Sequence, residues 1–188
     1  KVTFSDYIGV HLFYLDSGPI GVTTLWEPDG TGEDYHVTNY ALRLVYARLL
    51  TDRLRIGGSI KYIREEIYTM SMQSFLADIG SNFDTGISDI MLGMSVSNFG
   101  PQVQFHGKGL EVQVPDTISI DKTLIQSTKE FPVPLVFRLG IKKDILGAKE
   151  DAVHRLTASI DGINPIDYVL YWSLGTEYSW RDIGFFRA

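Results

Sequence analysis

The chain has 188 residues, of which 44% are hydrophobic, and a formal net charge of -6. This acidic balance argues against a nucleic-acid-binding surface, which needs basic residues opposite the phosphates. No apolar run approaches the roughly 18 residues that a membrane-spanning helix requires, and the absence of Cys excludes disulfides and thiolate metal sites.

Large apolar residues alternate with Gly, Ser or charged residues along most of the chain, which is the two-residue period of a strand. From Leu170 to Trp180, for example, one face is almost entirely apolar and the other is polar or small. In chain order, the predicted strands are Val2–Leu15, Thr38–Leu50, Leu54–Glu66, Ser74–Phe83, Ile90–Ser97, Leu135–Ile145, His154–Asp161 and Val169–Trp180, with a ninth beginning near Gly184. The pattern predicts an all-β, antiparallel outer-membrane barrel, because lipid requires an apolar outside and closure tolerates a polar inside.

The predicted connections alternate in length. Two are long, Ser17–Val37 and Asn98–Pro134, and the links Ile67–Gln73 and Gly162–Tyr168 fall on the same side but are modest. The other side has short, turn-rich links, namely Thr51–Arg53, Asp84–Asp89, Leu146–Val153 and Arg181–Ile183. Bacterial barrels place short turns at the periplasm and longer loops outside, so the alternation predicts the orientation of the strands.

Most of the charge within the strands falls opposite the apolar rows, and we predict that it forms a polar network in the lumen. Its members are Arg43, Lys61, Asp78, Asn82, Arg138, Lys142, Arg155, Asp161 and Glu177. The mixed signs indicate pairing across strands. Two interpretations are open, a network that fills and stiffens the barrel and one that binds a ligand; we favour the first, since buried charges are normally paired for structural reasons.

Aromatic residues lie towards the strand ends on the apolar face, where a girdle would meet lipid headgroups. They are Tyr40, Tyr46, Tyr62, Trp172, Tyr178 and Trp180. Core packing in a soluble β-sandwich would give the same residues in any one strand, and only repetition along the chain favours lipid.

No motif supports catalysis. The four histidines are scattered and no Gly-x-Ser-x-Gly sequence occurs, so we expect neither a zinc enzyme nor a serine hydrolase. Gly30–Tyr35 begins like a dinucleotide-binding loop but opens no recognisable helix. The acidic stretch Glu27–Asp34 lacks the spacing of a calcium loop, and a solvated hairpin loop explains it better. We therefore expect a non-enzymatic protein without a cofactor or metal.

Several segments together resemble the PorV/PorQ family of outer-membrane proteins, a branch of the FadL-like barrels, and they occur in that family's order over nearly the whole chain. The segments are Tyr40–Arg48, Leu50–Leu54, Ile56–Gly58, Lys61–Glu66, Phe83–Gly86, Gly93–Pro101, Pro132–Leu135, Phe137–Gly140 and Leu174–Tyr178. Each motif is weak alone, but their order and spacing together are fairly specific.

The resemblance implies a FadL-like barrel in the bacterial outer membrane, of which this chain supplies about nine to ten strands. The chain begins inside one alternating stretch and stops as another begins, so we expect residues 1–188 to be a fragment of a single barrel domain. The N-terminal part and the closing C-terminal strands would then be absent.

The resemblance also implies a function, because PorV-like barrels serve type IX protein secretion by binding the C-terminal signal domain of cargo and passing it on from the translocon. We predict that the surface contacting the partner lies in the connection Asn98–Pro134, because this connection contains more apolar residues than a solvated loop usually does. These residues are Leu110, Val112, Val114, Ile118, Ile120, Leu124 and Ile125. A partner, a folded plug and an added hairpin are all compatible with them, and self-packing is slightly favoured. The alternatives for the whole chain are a FadL-like transporter of a hydrophobic small molecule and a soluble all-β binding protein.

Overall fold

The computed structural model describes residues 5–114, 122–125, 128–147, 152–181 and 183–188; between 110 and 127 it describes backbone only. Nine strands follow one another along the chain. They are β1 (Asp6–Asp16), β2 (Val37–Thr51), β3 (Leu54–Ile67), β4 (Met70–Asp84), β5 (Ile90–Phe99), β6 (Val136–Leu146), β7 (His154–Pro165), β8 (Tyr171–Trp180) and β9 (Gly184–Arg187). Within the described ranges, no helix is long and apolar enough to cross a membrane.

Each strand pairs antiparallel with the next strand in sequence, so the sheet is an up-and-down meander. A short strand, His106–Gly107, pairs with Met70–Ser71 and brings the sheet to ten strands. The predictions of an all-β, antiparallel fold and of nine to ten strands are confirmed. The sheet is open, with β1 and β9 as its edges. The predicted residues Val2–Phe4 lie outside the described part of the chain.

Two predicted strand boundaries were wrong by four residues each. β4 begins at Met70, four residues before the predicted start, because a tight turn at Tyr68 and Thr69 connects it to β3 without Gly, Pro or Asn; Tyr68 takes a φ of 54°. β7 continues through Gly162 to Pro165, beyond its predicted end at Asp161. Gly162 pairs with Trp172 on β8, and the indole ring lies over it.

Both long connections leave from the same end of the sheet and fold back on themselves. The first, between β1 and β2, contains the antiparallel pair Ile20–Gly21 and Asp34–Tyr35. The second, residues 100–135 between β5 and β6, is called the excursion below. Its base is closed by Gln102–Val103 pairing with Phe131–Pro132, and Glu111–Val114 pairs with Lys122–Ile125. Short turns join the strands at the opposite end, so the predicted alternation of the two long connections with short ones is confirmed.

The distribution of side chains is the reverse of a water-soluble sandwich. Along β2, Leu42, Leu44 and Tyr46 are exposed, whereas the intervening residues are half-buried. On β8, Leu174 is 76% exposed while Ser179 on the opposite face is buried. Among the residues whose side chains are described, the buried hydrophobic ones are Met72, Leu76 and Val103. The sheet therefore has an apolar face with little to cover it and a polar face that is partly enclosed.

Gly107 fixes the excursion to the edge of β4, and we predict that Gly107→Ala releases it. Gly107 has a φ of 148°, and a Cβ there would lie 2.1 Å from the Thr69 carbonyl oxygen. The clash and the backbone strain should weaken the pairing of His106–Gly107 with β4 by about 1–3 kcal/mol. Limited proteolysis should find faster cleavage within the excursion, whereas Gly18→Ala, whose Cβ would meet nothing within 4 Å, should leave the excursion unchanged.

Candidate functional site

The sheet register places all nine predicted lumen residues on the same face. Cross-strand partners share a face of the sheet. Arg43 is opposite Lys61, and Ser59, two residues before Lys61 on the same strand, is opposite Asp78. Further along the sheet, Asn82 is opposite Gly93, Gly93 is opposite Gly140, and Gly140 is opposite Asp161. Arg138 and Lys142 lie two residues from Gly140 on β6, Arg155 lies six residues from Asp161 on β7, and Glu177 on β8 is opposite Thr157, which lies four residues from Asp161. This surface is called the polar face below.

Asp78 is the centre of a buried ionic cluster. Lys61 Nζ lies 2.7 Å from Asp78 Oδ1, and Ser59 Oγ donates to Asp78 Oδ2 at 2.8 Å. Arg43 approaches the same carboxylate at 3.5 Å from the side of β2. Lys61 is only 5% exposed and the Asp78 side chain 16%. Burying an ammonium group is tolerated here because the carboxylate compensates its charge.

Asn98 connects this cluster to the excursion. Between β4 and β5 the register shifts, so that two residues, Ser97 and Asn98, lie opposite Asp78 in a β-bulge, and Asn98 adopts a φ of 65°. The backbone amide of Asn98 donates to Asp78 Oδ1 at 2.8 Å, and the side-chain oxygen of Asn98 accepts from Lys61 Nζ. Its Nδ2 donates to the Pro134 carbonyl at 2.7 Å, which ties the two ends of the excursion together.

We predict that Asn98→Ala loosens the base of the excursion more than Asn98→Gly does. Both variants lose the bonds to Lys61 and Pro134, but alanine must also adopt a positive φ, at an additional cost of about 1 kcal/mol. The free energy of unfolding in urea and the rate of proteolysis within residues 100–135 should both show the order wild type, Asn98→Gly, Asn98→Ala. Equal values for the two variants would contradict the role of backbone conformation.

Other predicted network residues contact partners outside the Asp78 cluster. Arg138 donates to Ser97 Oγ at 3.4 Å, and Arg155 donates to the Gly147 carbonyl at 3.4 Å. Glu177 pairs at 2.5 Å with Arg187 on β9, which is exposed. Lys142 lines a recess of about 280 Å³ together with Glu177 and Arg187. The structure thus brings three predicted residues, Arg43, Lys61 and Asp78, into one cluster and distributes the others along the face.

Glycines make room on the polar face below the cluster. Gly57 pairs with Gly80, and Gly93 pairs with Gly140. The Asp161 carboxylate lies across Gly140, where a Cβ would fall 2.1 Å from its Oδ1. A recess of about 580 Å³ forms here; its polar lining residues are Arg43, Arg55, Ser59, Asp78, Ser81, Asn82, Ser95, Ser97, Arg138 and Asp161, and glycines and apolar side chains supply the rest. In the described part of the chain no group of three His, Asp or Glu residues could hold a metal.

The opposite face is apolar and carries aromatic residues towards both ends of its strands. Tyr40, Tyr62 and Trp172 lie towards the end with the long connections, and Tyr46, Tyr178 and Trp180 lie towards the short turns. All six belong to the apolar face by register. Between the two groups, a recess of about 760 Å³ opens on this face around small residues such as Gly58, Ala77 and Ser81, with larger apolar side chains around it.

The candidate partner-contact residues fall mainly outside what the structure describes. Ile118 and Ile120 lie outside the described residues, as do the side chains of Leu110, Val112, Val114, Leu124 and Ile125. The backbone of Glu111–Val114 and Lys122–Ile125 forms an added hairpin, which was one of the three interpretations.

Three residues of the polar face escaped sequence analysis. Ser59 and Asn98 bind Asp78, and Arg187 pairs with Glu177. Asn98 gave a weak signal, since Asn-Phe-Gly-Pro marks the end of a strand and asparagine tolerates a positive φ. Ser59 gave none, because a serine on a polar face has no distinguishing pattern.

Comparison with models of protein families, with curated proteins and with solved structures yields no match for this chain.

Proposed function

We propose that this chain forms part of an outer-membrane β-barrel of the PorV/PorQ type, which acts as an adaptor in type IX protein secretion. In this proposal, the barrel is held in the bacterial outer membrane, and the end with the long connections binds the C-terminal signal domain of cargo or the translocon.

The observation that carries the membrane assignment is the exposure of one entire apolar face. Val10, Leu12 and Leu174 are among its most exposed members; the first two lie on the edge strand β1 and the third on β8, seven strands further along the sheet. Leaving so large an apolar surface in water costs roughly 25 cal/mol per Å². Lipid would remove this cost for every strand at once, and the aromatic residues towards both ends of the strands suit the two headgroup layers.

The polar face favours a structural role for the barrel wall over a channel for hydrophobic molecules. Lys61 and Asp78 neutralise each other there, and Arg43 adds a second cation to the same carboxylate. Paired charges of this kind rigidify a wall without creating an apolar path. The excursion projects from the same end as the connection between β1 and β2, so a partner could contact both.

Native mass spectrometry of the full-length protein, extracted from its own outer membrane in mild detergent, tests the adaptor proposal. We expect a retained protein with the mass of cargo or translocon. The double variant Val112→Ser with Leu124→Ser should reduce its retention, whereas Ile183→Ser, an exposed apolar residue at the short-turn end, should not. Absence of any protein partner would contradict the adaptor function.

A second candidate is a FadL-like transporter of a hydrophobic small molecule. The apolar recess of about 760 Å³, lined by Leu44, Ile60 and Met94, would suit an acyl chain, but it opens on the apolar face and so favours binding from the lipid side over passage along the polar face. In the same mass spectra, a bound fatty acid or similar molecule without any protein partner would support the transporter instead.

A further inference from the structure

The loop between β1 and β2 holds two large apolar side chains fully in solvent. Leu25 is 97% exposed and Trp26 is 93% exposed. Both lie in the part of the connection enclosed by the pair Ile20–Gly21 and Asp34–Tyr35, outside the strands that form the apolar face. Lipid contact along the strands therefore does not account for their exposure.

Hydrogen bonds hold this tip in a defined shape. The Thr24 amide donates to the Glu27 carbonyl at 3.3 Å, and the Glu27 amide donates back to Thr24 Oγ1 at 3.0 Å. Leu25 and Trp26 are the two residues enclosed by this reciprocal turn. Below it, the Thr31 amide and hydroxyl both donate to the Val22 carbonyl, at 2.8 and 3.1 Å.

The base of the loop is also fixed to the sheet. His36 Nδ1 lies 2.8 Å from Asp16 Oδ1, and the Val37 amide donates to Ser17 Oγ at 3.0 Å. Tyr35 packs edge-to-face on Tyr68 of the β3–β4 turn, with ring centroids 5.5 Å apart. A loop that is ordered before binding loses less conformational entropy when it binds, which favours its use as a contact surface.

The charge around the tip is of one sign. Glu27, Asp29, Glu33 and Asp34 are all exposed, and residues 17–36 contain neither Lys nor Arg. These four carboxylates are called the acidic collar below. A collar of this kind repels the same loop of a second copy of this chain, and it gains nothing from anionic headgroups. It matches a surface that is basic.

We propose that Leu25 and Trp26 are the anchor of a protein–protein contact, and that they insert into an apolar pocket with a basic rim on a different protein. Tryptophan is enriched among the few residues that dominate binding at interfaces. The inference rests on the proposed function and deepens it. It names a second protein contact at the end with the long connections, separate from the excursion.

Photo-cross-linking in cells tests the contact, with p-benzoylphenylalanine in place of Trp26 in the full-length protein. The matched control carries it in place of Tyr168, an aromatic residue that is 70% exposed in the β7–β8 connection at the same end. We expect the Trp26 position alone to give a protein adduct, with the cross-linked peptide in an apolar pocket lined by Lys or Arg. The double variant Asp29→Lys with Glu33→Lys should lower the yield at least about threefold.

Affinity for the partner identified in this way should fall about 10-fold or more in Trp26→Ser. An adduct with lipid, an adduct with a second copy, or no excess over the Tyr168 position would overturn the proposal. A protein adduct insensitive to reversal of the collar would overturn it too. Retention of a protein partner by Trp26→Ser in the native mass spectra would leave the adaptor function standing without this anchor, whereas loss of every partner from the wild type would remove the adaptor function itself.

Discussion

Asp78→Ala is expected to lower the free energy of unfolding by about 3 kcal/mol, because it leaves the buried Lys61 ammonium without its carboxylate. The Asn98 amide and Ser59 hydroxyl lose their acceptor at the same time. Partial access of water to Asp78 places the cost at the lower end of the range for breaking a buried ion pair. Urea unfolding of the protein refolded in lipid vesicles measures the loss.

Two comparisons make this measurement specific. Glu177→Ala breaks an ion pair with the exposed Arg187 and should cost under about 1 kcal/mol. Lys61→Met combined with Asp78→Leu removes both charges and should recover part of the loss, since apolar residues can replace a buried pair. An Asp78→Ala variant as stable as Glu177→Ala would show that the cluster is not energetically buried.

Leu174→Arg is expected to destabilise the protein in a bilayer by about 2–4 kcal/mol, the cost of an arginine on the lipid face near the midplane. Leu174 lies in the middle of β8 and is among the most exposed apolar residues of the sheet. Its neighbour Ser173 is opposite Asp161 on the polar face, so Ser173→Arg can pair with a carboxylate and should cost less than about 1 kcal/mol.

The two variants introduce the same side chain at adjacent positions of one strand. The conformational propensity of arginine therefore affects both free energies of unfolding alike. Unfolding titrations in vesicles give both free energies. Equal tolerance of arginine at the two positions would contradict the assignment of the apolar face to lipid.

The sequence predicted the strands well because alternation is a local property of the chain. Thr38–Leu50 was predicted and β2 spans Val37–Thr51, and the facing of Arg43 and Lys61 followed from the same period. Boundaries failed where pairing between strands decided them. The seventh strand was predicted to end at Asp161, but Gly162 pairs with Trp172 on the neighbouring strand, the Trp172 ring packs over it, and the strand continues to Pro165.

The candidate site was predictable only as a face. Alternation put Asp78 and Lys61 on the same side, but which charges pair depends on the register between strands, and the β-bulge at Asn98 changes that register. The reciprocal turn that exposes Leu25 and Trp26 depends on hydrogen bonds between Thr24 and Glu27, residues common in any loop. Neither feature leaves a periodic signal in the sequence.

Lipid accessibility along β8 decides whether the apolar face lies in a membrane. The chain has no native cysteine, so single cysteines at successive positions from 171 to 180 can carry a fluorophore without background. In vesicles containing a lipid-bound quencher, we expect strong quenching at positions 172, 174, 176 and 178 and weak quenching at 173, 175, 177 and 179. Uniformly weak quenching, or an alternation of the opposite phase, would contradict the placement of this apolar face in the membrane.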